Sequence, residues 1–426
     1  MTVGSERTSL LVPLWRNRDY LLLWTGRTVS SLGSSVSIIA FPLLILALTH
    51  SPAKAGFAGA LRAAPYIIFS LPAGALVDRW NRKTVMVTCD TGRALALGSI
   101  PVALWTGHLT LAQLYLATVV EGTLFVFFQL AEMAALLQLV PQEQLAAATA
   151  QNEAAYYGVA ALLGPALGGV LYQIGRAVPF VVDAISYAAS VFSLLFIKTA
   201  FQGERTTATS GILRQIREGL TWLWRHSLIR TMALLTSGYA AVGSGLYLIL
   251  IVLAKQQHAS PAGIGAMFSI AAVGGIAGSL VGGRIQRWFS FSQVILGVRW
   301  ASVPLWLLYA VAPNPFVLGI ITAGMYVLIP MYNVVQLSYL LPSVPEHLRG
   351  RVGSVFQLVV TASQPLGLAL TGLLLQWIGA ITTVLVLGVW LFGLAVAATL
   401  SPAVRHAPPI AGDAAIEPVH STHPAL

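Results

Sequence analysis

The sequence predicts an all-α, polytopic membrane protein with twelve transmembrane helices arranged as two six-helix, pseudo-symmetric bundles. Three observations predict this fold: the composition, the regular succession of long apolar stretches, and an internal repeat. Hydrophobic residues make up 57% of the 426 residues and charged residues only 9%, whereas soluble domains carry roughly 25% charged residues. A chain this poor in charge cannot cover itself with a water-compatible surface, so its outer surface has to face lipid.

Twelve apolar stretches follow one another, each of about the 20 residues that a helix needs to cross the hydrocarbon. Six begin near Tyr20, Ala53, Thr84, Leu111, Gln144 and Val178, and six more begin near Ser227, Pro261, Gln293, Phe316, Arg351 and Ala380. We therefore predict five segments: a cytoplasmic N-terminus over 1–18, an N-terminal six-helix bundle over 19–199, a cytoplasmic linker over 200–226 that is partly an amphipathic helix, a C-terminal six-helix bundle over 227–401, and a disordered cytoplasmic tail over 402–426.

The positions of the basic residues predict the orientation. The net charge is +10, and Lys and Arg gather in alternate gaps between the apolar stretches. On the other side the gaps hold only Lys54, Arg176 and Lys255. By the positive-inside rule both termini are cytoplasmic, in a multi-pass protein of the cell (inner or plasma) membrane. No basic stripe is interleaved with aromatics, which argues against nucleic acid as a partner, and the single cysteine, Cys89, cannot form an intrachain disulfide.

The two halves repeat. Ser51-Pro52-Ala53 followed by GALVDRW matches Ser260-Pro261-Ala262 followed by GGRIQRW at nearly the same spacing, and GVLYQ at Gly169 corresponds to GLLLQ at Gly372. Two six-helix repeats in the same orientation are the layout of a large class of transporters, whose substrate site lies between the repeats near the membrane midplane.

The turn after the second apolar stretch reads GALVDRWNRK. Its glycine permits close approach of a neighbouring helix, its aspartate can accept hydrogen bonds at a helix N-terminus, and its basic residues can reach carboxylates. This turn resembles the loop signature of the major facilitator superfamily, and the alternative is a turn that only sets topology. The resemblance implies a cytoplasmic gating motif made of Gly74, Asp78, Arg79, Arg82 and Lys83. Four charged residues are expected as its network partners: Asp90, Arg93, Glu132 and Glu153.

The fifth apolar stretch contains GPALGG, in which Pro165 kinks the helix and Gly164, Gly168 and Gly169 allow close packing. This resembles the antiporter signature of drug:proton exporters, and an ordinary kinked membrane helix is the alternative. WRNRDYLLLWTGRTVSSLG from Trp15, DRWNRK and LVPQEQL are similar to the branch that holds macrolide and enterobactin exporters. The chain departs from that branch after Gly33, where serines replace an expected acidic residue, and in the second copy of the turn, where Gln286 replaces the aspartate.

Ionised side chains at helix centres cost roughly 2.5–3.5 kcal/mol each on insertion scales and therefore mark functional positions. We predict that Glu121, paired with Arg62 or Arg27, forms a buried charge cluster that couples transport to protons. A static pair that only fixes helix packing is the alternative. The second half has no carboxylate inside its apolar stretches. Polar and aromatic residues there and in the first stretch are candidates for the substrate cavity: Trp24, Tyr326, Tyr332, Asn333, Gln336 and Gln357.

These features predict a secondary active transporter, acting as a monomer in the lipid bilayer, that exports amphiphilic small molecules of the drug, macrolide or siderophore type in exchange for protons. A proton-coupled uptake symporter of the same fold is the alternative within transport, and a transporter-like sensor is a third possibility. An enzyme is not expected, because the sequence has no HExxH motif, no nucleotide-binding loop and no Ser/His/Asp set at a plausible depth. No cofactor and no metal ion are implied.

Overall fold

The computed structural model describes residues 13–77, 79–199, 201, 212–285 and 288–405. Within these ranges the chain is helical and contains no strand. The long helices are α1 (Arg18–Thr49), α2 (Pro52–Val77), α3 (Arg82–Trp105), α4 (Leu111–Leu139), α5 (Leu145–Ala155), α6 (Ala161–Ile174), α7 (Val178–Leu195), α8 (Ile212–Arg225), α9 (Ser227–Gln256), α10 (Pro261–Ile285), α11 (Phe291–Leu307), α12 (Pro315–Ser343) and α13 (Arg349–Leu400), followed by the short α14 (Pro402–Arg405). The predicted tail beyond residue 405 and most of the linker before α8 lie outside the described residues.

Nine helical segments in the described ranges are long and apolar enough to cross a membrane. One of them consists of α5 and α6, which are joined by the π-helical turn Tyr156–Ala160. The helix α13 counts as one segment of 52 residues. The helices α2 and α3 have 26 and 24 residues, which is also sufficient length. Adding α2 and α3 to the nine segments, and dividing α13 in two at Gly379, gives a number consistent with the twelve predicted helices. The protein is an all-α, polytopic membrane protein.

The helix α13 folds back on itself at Gly379. This residue has φ 75° and ψ 173°, a conformation that is essentially restricted to glycine. On its N-terminal side, Gly367 packs against the backbone of Ala241 in α9. On its C-terminal side, Leu394 packs against Gly238, about one turn away in the same helix. Both halves of α13 can reach this part of α9 only because the chain reverses between them.

The described residues fall into two compact units. The first unit contains α1 and α3 to α7 together with α2 from Leu61 onward, and the second contains α8 to α14 together with the segment Thr49–Ala60. In the second unit this segment packs backbone to backbone on α13, since a Cβ at Gly56 would lie 2.6 Å from the carbonyl oxygen of Leu368. The sequence places this segment in the first bundle, and the bundle boundaries stay a prediction.

Short polar residues define several helix ends. Asn81 caps α3 by accepting a hydrogen bond from the Thr84 amide, 3.2 Å away. Ser290 and Gln293 form a reciprocal capping box at the start of α11. In the second unit α8 lies against α13, where the Glu218 carboxylate accepts a hydrogen bond from Arg351 at 2.5 Å. A helix is therefore present in the predicted linker, and its place at the membrane surface stays a prediction.

Candidate functional site

A buried cluster of charged side chains occupies the middle of the first unit, and Glu121 lies at its centre. Glu121 is only 2% exposed on α4. Arg62 of α2 binds it through two parallel hydrogen bonds, from Nε to Oε2 at 2.5 Å and from Nη2 to Oε1 at 3.1 Å. Arg93 of α3 donates Nη2 to the same Oε1 at 3.1 Å and Nη1 to Asp90 at 3.2 Å. Of the two partners that the sequence left open for Glu121, the structure brings Arg62 to it.

The residue after Glu121 explains how α2 comes so close to α4. A Cβ at Gly122 would lie 2.1 Å from the carbonyl oxygen of Arg62. Only glycine therefore allows the two backbones to meet at the level where their charged side chains pair. The two partners of the ion pair are in direct contact although they are 59 positions apart in the chain.

The same cluster extends to α1 and α7 through side chains that were not predicted as site residues. The Arg93 guanidinium stacks on the ring of Tyr187, 4.0 Å from its centroid, and the Tyr187 hydroxyl is 2.8 Å from that of Ser34. Asp183, one turn before Tyr187, is 1% exposed and accepts a hydrogen bond from Ser186 at 3.3 Å. Among the described residues no Lys or Arg forms an ion pair with Asp183.

A sequence signal for these residues existed. Asp183, Ser186 and Ser190 recur at helical spacing on one face of an otherwise apolar stretch, and all three are buried. The Asp183 carboxyl group is buried one helical turn before Tyr187, whose ring contacts the Arg93 guanidinium.

A second ion pair lies elsewhere in the first unit and contains Arg27, the other candidate partner of Glu121. Arg27 of α1 donates to Glu132 of α4 at 2.5 Å. Glu132 is 11 positions from Glu121, or roughly 16 Å along the helix, so Arg27 is not the partner of Glu121. Asp90 and Arg93, which were expected around the gating motif, belong instead to the Glu121 cluster.

The charged turn after α2 differs in detail from what the sequence suggested. Asp78 lies outside the described residues. No described atom would come within 4 Å of a Cβ at Gly74, and its close approach to a neighbouring helix stays a prediction. Lys83 was expected to reach carboxylates, but it donates to the carbonyl oxygens of Leu195 and Ile197, at 3.0 and 2.7 Å.

Backbone carbonyls at a helix C-terminus carry partial negative charge, so the contact of Lys83 with the end of α7 is favourable. Arg82 likewise donates to the carbonyl oxygen of Ala134 in α4, at 3.1 Å. Arg79 is exposed, and so is Glu153, an expected network partner that lies on α5. The gating role of these residues stays a prediction.

The GPALGG segment brings α6 into contact with α1. A Cβ at Gly164 would lie 2.3 Å from the Cβ of Ser35, and one at Gly168 would lie 2.4 Å from the carbonyl oxygen of Val36. Gly169 is buried beside them. The π-helical turn Tyr156–Ala160 ends directly before α6, five residues upstream of Pro165, and π-helical turns bend helices.

The predicted substrate residues differ in exposure. Gln336 is buried, Asn333 and Gln357 are exposed, and Trp24 and Tyr326 are half-buried. Their place in a substrate cavity stays a prediction. A groove of about 740 Å³ lies elsewhere, on α3 and the start of α4, and is lined by other residues.

Tyr332, the sixth candidate, belongs to a cluster in the second unit. Arg299 of α11 is 2% exposed, and its guanidinium carbon lies 4.2 Å from the ring centroid of Tyr239 and 4.3 Å from that of Tyr332. The Tyr332 hydroxyl is 2.7 Å from that of Thr236. The charge of Arg299 inside an apolar stretch is visible in the sequence, whereas its contact with the two rings is not.

Comparisons with known proteins agree with this architecture. The family model described as Major Facilitator Superfamily matches residues 23–363. Multidrug efflux pump Tap from Mycolicibacterium fortuitum is 27% identical over 401 residues, covering 90% of this chain and 96% of that protein. Macrolide efflux protein A from Streptococcus pyogenes is 22% identical over 374 residues, covering 86% of this chain and 91% of that protein. The crystal structure of the nucleoside transporter NupG has a TM-score of 0.73 at 13% identity, covers 90% of this chain and 98% of its own, and indicates a shared fold.

Proposed function

The chain belongs to the Major Facilitator Superfamily and is a membrane transporter rather than an enzyme, and we propose that it exports amphiphilic small molecules from the cell in exchange for protons. The names of two full-length relatives, a multidrug efflux pump and a macrolide efflux protein, support the direction and the broad class of substrate. The predicted place is the cell membrane with both termini cytoplasmic, on the strength of the uneven distribution of Lys and Arg.

The buried cluster around Glu121 is the observation that supports proton coupling. It holds three carboxyl groups, of Glu121, Asp90 and Asp183, but only two guanidinium groups, of Arg62 and Arg93. Charges buried in a membrane protein have to be balanced, and one additional proton balances this set. A proton that binds a carboxylate of the cluster weakens its ion pairs and so changes how strongly α2, α3 and α4 are held together.

In this proposal alternating access follows from that change. With the carboxylates ionised, Glu121 holds Arg62 and Arg93 at once, and the three helices are fastened together. When a proton enters from outside, one guanidinium is released and the helices can rearrange. When the proton leaves to the cytoplasm, the pairs form again. The charged turn from Gly74 to Lys83 is proposed to act as the gate on the cytoplasmic side.

An accumulation assay tests the function. Cells that express the protein are loaded with ethidium, erythromycin or a catecholate siderophore, and retention is compared with and without a protonophore. Expressing cells should retain less of the compound than control cells, and the protonophore should reverse this difference. Accumulation of the compound driven by the gradient would instead identify an uptake symporter. Retention that is independent of both the protein and the gradient would refute the proposal.

Substitutions in the cluster test the coupling. Glu121→Gln should abolish gradient-driven export, because a neutral side chain cannot alternate between paired and protonated states. Asp183→Asn reports whether the excess carboxyl takes part. Glu143→Gln is the matched control, since Glu143 is exposed in the short turn before α5. Each variant is also checked for its amount in the membrane. Coupling that is unchanged in both cluster variants would exclude the cluster from the mechanism.

A further inference from the structure

Arg299 in the second unit is a buried cation that forms no ion pair with any residue in the described ranges. The sequence has no aspartate or glutamate between Ser227 and Pro345, so α9 to α12 contain none. Arg299 nevertheless lies eight residues into α11, roughly 12 Å from its start, and is 2% exposed. An ionised group at such a position is costly unless something compensates it.

The compensation that the structure supplies is incomplete. The ring centroids of Tyr239 and Tyr332 lie 4.2 and 4.3 Å from the guanidinium carbon and stabilise the charge by cation–π contact, and the Tyr239 side chain is also hydrogen-bonded to Arg299. The N–H groups, however, point outward in the plane of the guanidinium, where a ring face cannot accept them. Among the described residues, Nε and Nη2 of Arg299 are buried and have no hydrogen-bond partner.

The first unit shows what such an edge binds. Arg62 uses the same pair of atoms, Nε and Nη2, to hold the two carboxylate oxygens of Glu121. A side-on pair of parallel donors matches a planar oxyanion and fixes its orientation. In Arg299 this edge is present, and among the described residues no carboxylate pairs with it.

We propose that Arg299, between Tyr239 and Tyr332, is a recognition site for the carboxylate of an acidic, aromatic or amphiphilic substrate. The carboxylate binds in the plane of the guanidinium, through Nε and Nη2. The tyrosine rings flank it and contact the apolar part of the ligand. The hydroxyl–hydroxyl contact of Tyr332 with Thr236 holds one ring in place. The identification of this ligand as a transported molecule rests on the proposed function, whereas the binding site itself does not.

A phospholipid headgroup carries the same oxyanion chemistry. The position of Arg299 in the middle of α11, away from either helix end, favours a substrate over a headgroup. The experiment therefore compares the two sources directly.

The test measures binding by the purified full-length protein in nanodiscs of zwitterionic lipid. Two probes share one aromatic body: pyrenebutyrate carries a carboxylate, and pyrenebutanol is neutral. The wild-type protein should bind the acid about tenfold or more tightly than the alcohol, the range expected for hydrogen bonds to a charged group. Arg299→Gln should remove this preference. Arg299→Lys keeps the charge but loses the side-on pair, so the preference should fall without disappearing.

Controls and opposing results are defined by the same assay. Arg230→Gln, at an exposed arginine of α9, should keep the full preference. Discs containing phosphatidylglycerol should leave pyrenebutyrate binding unchanged, and competition by this lipid would assign the site to headgroups. Equal binding of the two probes by the wild type, or a preference that survives in Arg299→Gln, would show that water alone satisfies the arginine. A protein that binds the acid but exports nothing would contradict the proposed function and leave this site intact.

Discussion

Removing Arg93 and removing Arg299 should have very different effects on stability, although both are buried arginines at corresponding places in the repeat. Arg93 is 3% exposed and contacts two carboxylates, of Asp90 and Glu121. In Arg93→Gln, Glu121 still has Arg62, but Asp90 loses its only ion-pair partner among the described residues. Breaking a buried pair in this way costs about 3–5 kcal/mol of unfolding free energy, because a buried charge is left uncompensated.

Arg299→Gln leaves no carboxylate behind. It loses the cation–π contacts with Tyr239 and Tyr332, each worth about 1–2 kcal/mol when desolvated. It also removes a buried charge with two N–H groups that lack partners, which offsets this loss. The unfolding free energy should therefore change by no more than about 1 kcal/mol in either direction.

The assay is unfolding of the purified protein in mixed micelles by titration with SDS, followed by far-UV circular dichroism. A double-mutant cycle shows the cause. If the cost of Arg93→Gln comes from the stranded Asp90 carboxylate, adding Asp90→Asn should restore part of the stability. The reasoning is refuted if Arg299→Gln destabilises the protein as much as Arg93→Gln, or if Asp90→Asn adds a further loss instead of a recovery.

Three further substitutions test the packing and the turns by the same unfolding measurement. Gly164→Ala puts a Cβ 2.3 Å from that of Ser35 and should lower the unfolding free energy by about 1–3 kcal/mol. The control Gly158→Ala, with no described atom within 4 Å of its Cβ, should lower it much less. Equal losses would contradict the close contact of α6 with α1. Gly379→Ala forces φ 75° on a residue with a Cβ and should cost about 1–3 kcal/mol, and no loss would argue against the reversal there. Lys83→Met removes two hydrogen bonds to the carbonyl oxygens at the end of α7 and should cost about 1 kcal/mol; a gain in stability would contradict that contact.

The fold class could be predicted from the sequence because lipid imposes a strict rule on length and polarity. Stretches of apolar residues with few charges translate directly into helices, and the matched family model confirms the resemblance drawn from the charged turn. The reversal within α13 was also anticipated, since separate stretches were expected near Arg351 and Ala380. Helix assignment there needed only hydropathy, whereas the exact place of the reversal depends on Gly379 alone.

The site was predicted less completely, for a physical reason. Glu121 and Arg62 were identified because a charge inside an apolar stretch is conspicuous, but depth alone could not choose between Arg62 and Arg27. The choice depends on Gly122, which lets the α2 backbone approach α4 beside Glu121. Such a contact between distant segments leaves no trace in the periodicity of either one.

Neutral polar residues were missed for the complementary reason. Tyr187 and Tyr239 attract no attention in a membrane sequence, because tyrosine is common at membrane interfaces. Their importance comes only from what they face, a guanidinium in each case. The informative feature is therefore the carboxylate available to each embedded arginine within its own half of the repeat.

The two units differ in the carboxylate partners of their embedded arginines. In the first unit the embedded arginines are matched by carboxylates, with one carboxyl to spare, so the set is suited to taking up and releasing a proton. In the second unit Arg299 contacts two aromatic rings and, within the described ranges, pairs with no carboxylate. This divergence supports the proposal that the driving ion binds in one half and an acidic ligand in the other. Arg299→Gln should then abolish recognition of the acidic ligand while leaving the proton chemistry of the first unit unaltered, and the pyrenebutyrate assay and the protonophore assay measure these two effects separately.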